Sequence, residues 1–130
     1  MRSVHRIFIM MMLMVWAASL PSDAQEKTAS EAALQRLFQE GAQSYQLADY
    51  HTALEKWQAA LEQARMLDNK QYSSQLLMNI GVIYWSLGQY EQALTFLEEA
   101  AHEFRELGNR QGEAMILNNI GMVNCRPVNA

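Results

Sequence analysis

One cysteine, two prolines and a thin charge set the first limits on this 130-residue chain. A single thiol, Cys125, excludes an internal disulfide, and no CxxC pair or Cys/His spacing suited to a metal occurs. Ten basic residues face fourteen acidic ones, a formal net charge of −4, and the Lys and Arg are scattered singly. Binding a phosphate backbone takes clustered cations, so nucleic acid is not an expected partner. No glycine-rich loop follows a strand-like segment; Gly81 and Gly121 fall inside stretches of helical period. His5, His51 and His102 stand apart from one another and from Cys125, so no nucleophile–base constellation is legible. The acidic residues Glu98, Glu99, Glu103 and Glu106 follow helical spacing and read as a solvated outer face, with a cation or basic-peptide site as the alternative. The expectation is a chain that is not an enzyme and needs no cofactor or metal.

The N-terminus differs in composition from the rest. Arg2, His5 and Arg6 precede a 12-residue apolar run, Ile7 to Ala18, and then Pro21 with the small residues Ser22 and Ala24. That order is the order of a secretory signal peptide, with cleavage expected after Ala24. A bilayer span takes about 20 apolar residues, so the run is short for a membrane anchor, and a membrane role is expected only if the leader is retained. Without residues 1–24 the chain keeps eight basic and thirteen acidic residues. The mature protein is therefore read as mildly acidic and exported, periplasmic or secreted.

The remainder repeats itself every forty residues. Leu77, Asn79, Ile80 and Gly81 recur as Leu117, Asn119, Ile120 and Gly121, and Gly41 stands one period earlier with Leu37 under Leu77. Leu47 and Leu87, Tyr50 and Tyr90, Ala53 and Ala93, Ala60 and Ala100, Leu67 and Leu107 keep the same register. A fixed period of this length signals a stacked array whose units contact only their neighbours. Within a unit the apolar residues follow an i, i+3, i+4, i+7 pattern: Leu34, Leu37, Phe38, Gly41, and again Leu77, Ile80, Gly81, Tyr84. A second helix follows each, over Tyr50–Leu61 and Tyr90–Phe104. The breaks Leu47-Ala48-Asp49 and Leu87-Gly88-Gln89 read as tight turns. Asp49 is a good N-cap, and Asp68, Gly108 and Asn109 suit a left-handed helix end. Glycine inside a helix costs roughly 1 kcal/mol relative to alanine. Gly41 and Gly81 therefore imply a neighbouring helix at close range, with Ala53, Ala93, Ala60 and Ala100 as its small surfaces.

This pattern resembles the tetratricopeptide repeat, in a variety of roughly 40 residues. The residues that carry the match are Leu77, Gly81, Tyr84, Gly88, Tyr90, Ala93, Leu97 and Ala100, with Leu107 to Gly121 in the next unit. The resemblance implies an all-α, right-handed solenoid of antiparallel helix pairs, about two and a half repeats long. The domain reading is a leader over 1–24, a linker and helix start over 25–33, repeats over 34–73 and 74–113, a partial repeat over 114–124 and an irregular tail over 125–130. The third unit departs from the pattern, since Asn124 stands where Tyr84 predicts a tyrosine and Pro127 follows. An apolar face of the last helix is left without a covering helix, which reads as a fragment, a truncated frame or a surface met by another subunit.

The resemblance also implies a concave groove lined by the first helix of each unit. The expected peptide-binding residues are Phe38, Gln39, Ala42, Tyr45, Gln75, Met78, Asn79, Val82, Trp85, Asn118 and Asn119. Gln39, Asn79 and Asn119 share one register position, and a side-chain amide there both donates to and accepts from a peptide backbone. The alternative is that Asn79 and Asn119 satisfy neighbouring helices. The family's clamp for C-terminal carboxylates needs Lys and Arg where this chain has Ala42, Gln75, Met78 and Val82, so an extended or helical peptide held by apolar contacts and amide hydrogen bonds is the expected ligand. The reading is an exported scaffold for another protein or peptide. Two rivals stand beside it: the docking arm of a larger enzyme with a protease-like or kinase-like domain, and an envelope component that self-associates through its uncovered third unit.

Overall fold

The computed structural model describes residues 2–18 and 21–125, which form six helices and no strand. They are α1 (Arg2–Ala18), α2 (Ser22–Gln46), α3 (Tyr50–Met66), α4 (Lys70–Ser86), α5 (Tyr90–Glu106) and α6 (Arg110–Asn124). From α2 onward each helix packs antiparallel on the next, and α4 also touches α6. The result is an all-α repeat solenoid. Side chains 3–12 of α1 are exposed, and α1 adds nothing to the described core. Among the described residues no helix is long and apolar enough to cross a membrane.

One turn design recurs four times and sets the antiparallel path. Its three residues are a leucine, a residue in the left-handed region and the N-cap of the next helix. The second position is Ala48 (φ 59°), Asp68 (φ 51°), Gly88 (φ 74°) or Gly108 (φ 67°). The third residue's N–H reaches back five positions: Asp49 to the Ser44 carbonyl (2.9 Å), Asn69 to Ala64 (2.8 Å), Gln89 to Tyr84 (2.8 Å), Asn109 to Phe104 (2.9 Å). These bonds satisfy carbonyls that a helix end leaves open. Three of the four third residues then cap the following helix. The Asp49, Asn69 and Asn109 side chains accept from the N–H of Thr52, Tyr72 and Gly112. Gln89 makes no such bond. Asn109 thus opens α6, where the sequence had suggested that it ends α5; in a three-residue turn one residue serves both helices.

The turns also fix the phase of the repeat. The helix pairs begin at Lys70 and Arg110, so the expected boundaries at 74 and 114 fall inside α4 and α6. Residues 25–33, expected as a linker and helix start, are helical throughout. Apolar spacing runs unbroken along a helix and gives the period; only the turn residues give the phase.

The core runs through the stack as one cluster: Leu34, Trp57, Leu61, Leu76, Leu77, Ile80, Ile83, Leu97, Phe104, Ile116 and Val123, with Ala53, Ala60, Ala64, Ala93 and Ala100 at the helix contacts. The mid-helix glycines are explained by what sits on them. A Cβ on Gly41 would lie 2.4 Å from the Trp57 ring, and one on Gly81 would lie 2.8 Å from the Leu97 side chain. The approaching groups are therefore the large side chains of the second helices, with the alanines flanking them. The Trp57 indole Nε1–H donates to the Phe38 carbonyl at 3.0 Å, which locks the ring over Gly41.

The acidic face is largely occupied. Glu99 pairs with Arg65 (2.6 Å), Glu106 with Lys70 (2.5 Å), and Glu103 accepts from the Ser73 hydroxyl. These bonds tie α5 to α3 and α4. The two ion pairs are solvent-exposed, and such pairs each contribute little.

Candidate functional site

The expected groove residues were read as one face of the first helices, α2, α4 and α6. The structure brings four of them together. Phe38 of α2 and Gln75, Met78 and Asn79 of α4 line a depression of about 320 Å³, completed by Asn109, Gln111, Gly112 and Met115 around the start of α6 and by the buried Phe104 ring. The helices that form it are held by the core beneath. Phe38 packs edge-on against Tyr72, ring centroids 5.7 Å apart. Gly112 accommodates Phe104 because a Cβ there would meet that ring at 2.4 Å.

The lining contains no charged side chain. Its polar members are amides, and among the described residues the Gln75 and Asn79 side chains have no hydrogen-bond partner. The same holds for Asn119, so neither asparagine satisfies a neighbouring helix. Met115 is 50% exposed and Met78 half-buried, leaving flexible apolar surface beside the amides. Methionine adapts its shape readily and suits a surface that accepts varied apolar groups. The arrangement offers apolar contact together with side-chain donors and acceptors for a peptide backbone.

The other expected residues lie outside this depression. Tyr45 is half-buried against Tyr50 and Trp57, with ring centroids 5.6 and 5.7 Å away, so its face serves packing. Ala42, Val82 and Asn119 are half-buried; Gln39 and Asn118 are exposed. Trp85 is 39% exposed and has no ring neighbour among the described residues. Sequence reasoning missed Gln111 and Met115. Met115 stands one period after Gln75, so the register did point to it, although the residue type changes.

A second depression, about 400 Å³, lies at the helix ends and is lined by Lys27, Glu31, Asp68, Asn69, Lys70 and Gln71 with Leu67 and Leu107. It mixes both signs of charge, and its Lys70 is already held by Glu106, which raises the Lys70 pKa and lowers that of Glu106. His51, His102 and Cys125 are exposed and lie apart from either depression.

Comparison with known proteins agrees with the architecture. A search of curated proteins finds no match. The family model described as tetratricopeptide repeat matches twice, over residues 32–101 and 72–126, with starts one forty-residue period apart. The chain therefore belongs to the tetratricopeptide repeat family, whose arrays serve as protein–protein interaction modules.

Proposed function

We propose that this chain is an exported scaffold that holds an uncharged, apolar peptide segment of another protein in the depression between α2, α4 and α6. The observation that carries this reading is the lining itself: unpaired amides of Gln75 and Asn79 beside the accessible side chains of Phe38, Met78 and Met115, with no charge among them. The amides hold the peptide backbone and the thioethers and ring hold its side chains. Export is supported by the basic start and apolar run of the first 18 residues, whose described side chains stay exposed in α1.

The test is a displayed library of peptides panned against the full chain, followed by affinity measurements on the selected sequences. Asn79→Ala should weaken binding about fivefold to thirtyfold, the loss of one or two backbone hydrogen bonds, and leave the helix content unchanged. Because the lining is neutral, affinity should change less than twofold between 50 and 500 mM salt. Selected peptides that bind Asn79→Ala and Met78→Ala as well as the parent, or that are acidic and salt-sensitive, would overturn the assignment. For export, the intact mass of the protein from its own cells should begin at Gln25; a start at Met1 overturns that part.

A further inference from the structure

Helix α6 repeats the face with which α4 receives α5. Leu77, Ile80 and Gly81 recur as Leu117, Ile120 and Gly121. On α4 these residues are buried, Leu77 and Ile80 at 0% exposure. On α6 Leu117 is 53% exposed, Ile120 is half-buried and Gly121 is open. The residues are the same, and the difference is the helix lying on them. Gly41 receives Trp57 and Gly81 receives Leu97, but nothing lies within 4 Å of a Cβ placed on Gly121. Among the described residues, a third socket of the same make is present and empty.

The internal repeat states what fits it. Where α5 crosses α4, it presents Ala93, Leu97 and Ala100, all at most 1% exposed, and near its end Glu106, which Lys70 at the start of α4 holds at 2.5 Å. Arg110 occupies the Lys70 position at the start of α6. It is exposed, and its guanidinium has no partner among the described residues. A helix crossing α6 as α5 crosses α4 would bring its own carboxylate to Arg110. Charge and shape thus call for the same occupant.

Residues 127 and 128 do not suit the turn that delivers such a helix in register. The turn that delivers α5 uses the Leu87 N–H, bonded to the Ile83 carbonyl at 2.9 Å, and Gly88 at φ +74°. One period later the sequence reads Pro127 and Val128, which lie outside the described residues. Proline has no N–H to give, and a β-branched residue is disfavoured at positive φ. Neither α1 nor the exposed start of α2 carries the required spacing, and α3 and α5 spend theirs within the stack. A second copy therefore offers no free helix with the α5 spacing on α1, α2, α3 or α5.

We propose that the Leu117–Gly121 face of α6 docks a helix of a separate partner protein. That helix carries a small residue, a large aliphatic residue four positions later, a small residue three further on, and a carboxylate six beyond that for Arg110. This contact is independent of the depression between the first helices.

The probe is a labelled synthetic peptide with the sequence of Tyr90–Glu106, the chain's own example of such a helix, titrated against the full chain. Saturable one-to-one binding is expected. Gly121→Leu, whose Cβ meets nothing within 4 Å and whose side chain fills the open socket, should reduce affinity at least tenfold while the chain stays folded and monomeric. Arg110→Glu should weaken binding severalfold, and Glu106→Lys in the peptide should restore it. Asn79→Ala should leave this binding unchanged, so its failure and that of the groove are separable. Absence of binding, or binding undiminished by Gly121→Leu, overturns the proposal. Dimerisation abolished by Gly121→Leu would assign the face to a second copy. A further helix of the native chain already covering Gly121 would assign it to the chain itself. Either result also overturns the proposal.

Discussion

At the scale of the residue, two glycines at one repeat position have opposite burdens. Gly41 lies under the Trp57 ring, and that ring is 4% exposed and tied to the Phe38 carbonyl, so it cannot give way. Gly121 has no neighbour within 4 Å. Gly41→Ala should cost about 1–3 kcal/mol through overpacking, outweighing the gain in helix propensity. Gly121→Ala should add up to about 1 kcal/mol, the intrinsic difference between the two residues in a helix. Denaturant unfolding of both variants checks the sign; equal shifts would mean that Trp57 does not occupy the Gly41 surface. The sequence made the close approach legible, because glycine recurs mid-helix where propensity opposes it. Which groups approach was not legible. Periodicity shows that Gly41 and Ala53 belong to facing helices, but the ring that fills the space comes from Trp57, one turn beyond Ala53.

At the scale of the element, the four turns share one geometry but not one chemistry. Asp49, Asn69 and Asn109 each cap the next helix with a short side chain, whereas the longer Gln89 side chain makes no cap bond to α5. Gln89→Asp should therefore stabilise the protein by about 1 kcal/mol at neutral pH. For an array of this size that corresponds to roughly 4–8 °C in melting temperature. The gain should depend on pH in a definite direction. Hydrogen bonding to Thr52 and its backbone N–H already holds the Asp49 carboxyl below its usual value. A cap carboxylate with a lowered pKa stabilises above the ordinary carboxylate range and ceases to do so as pH falls through its folded value. Melting at pH 7 and pH 3 should show a smaller Gln89→Asp gain at the lower pH, while Gln89→Asn keeps its gain at both. No gain at pH 7 would show that the α5 start is already satisfied. Helix number, order and turn positions were legible because leucine and a small or polar pair recur at each break. The turns at 67–69 and 107–109 therefore carried the phase as well, and bounding the units at 74 and 114 followed the apolar pattern, which continues smoothly across those residues in α4 and α6. The α2 and α4 side of the depression was legible, at Phe38, Gln75, Met78 and Asn79. Gln75 and Met115 share a position but not a chemistry, so the α6 side of the site did not stand out.

At the scale of the molecule, the stack is a one-dimensional chain of neighbours, and its stability should vary along that line. Helix α4 is covered by α3 on one side and α5 on the other, and Leu76, Leu77, Ile80 and Ile83 are all at 0% exposure. Helix α6 is covered by α5, with a lighter contact to α4, and buries only Gly112, Ile116 and Val123 fully. In an array each element's stability is its own term plus its contacts with neighbours, so an end element opens more easily than a central one. Burial of a large aliphatic side chain is worth about 1.5–3 kcal/mol, and Leu117 forgoes much of that where Leu77 does not. Hydrogen exchange at neutral pH should rank α4 and α5 as the most protected helices and α6 at least a hundredfold less protected, a gap of about 3 kcal/mol. The exposed ion pairs Arg65–Glu99 and Lys70–Glu106 bridge the central helices, but screening them with 0.5 M salt should leave that ranking intact. The Tyr90–Glu106 peptide, when bound, should raise protection in α6 first and pass little of it to α2, because energy in such a stack travels through contact alone. Uniform protection from α2 to α6 would mean that the array unfolds as one unit, and that the open face of α6 costs the molecule nothing.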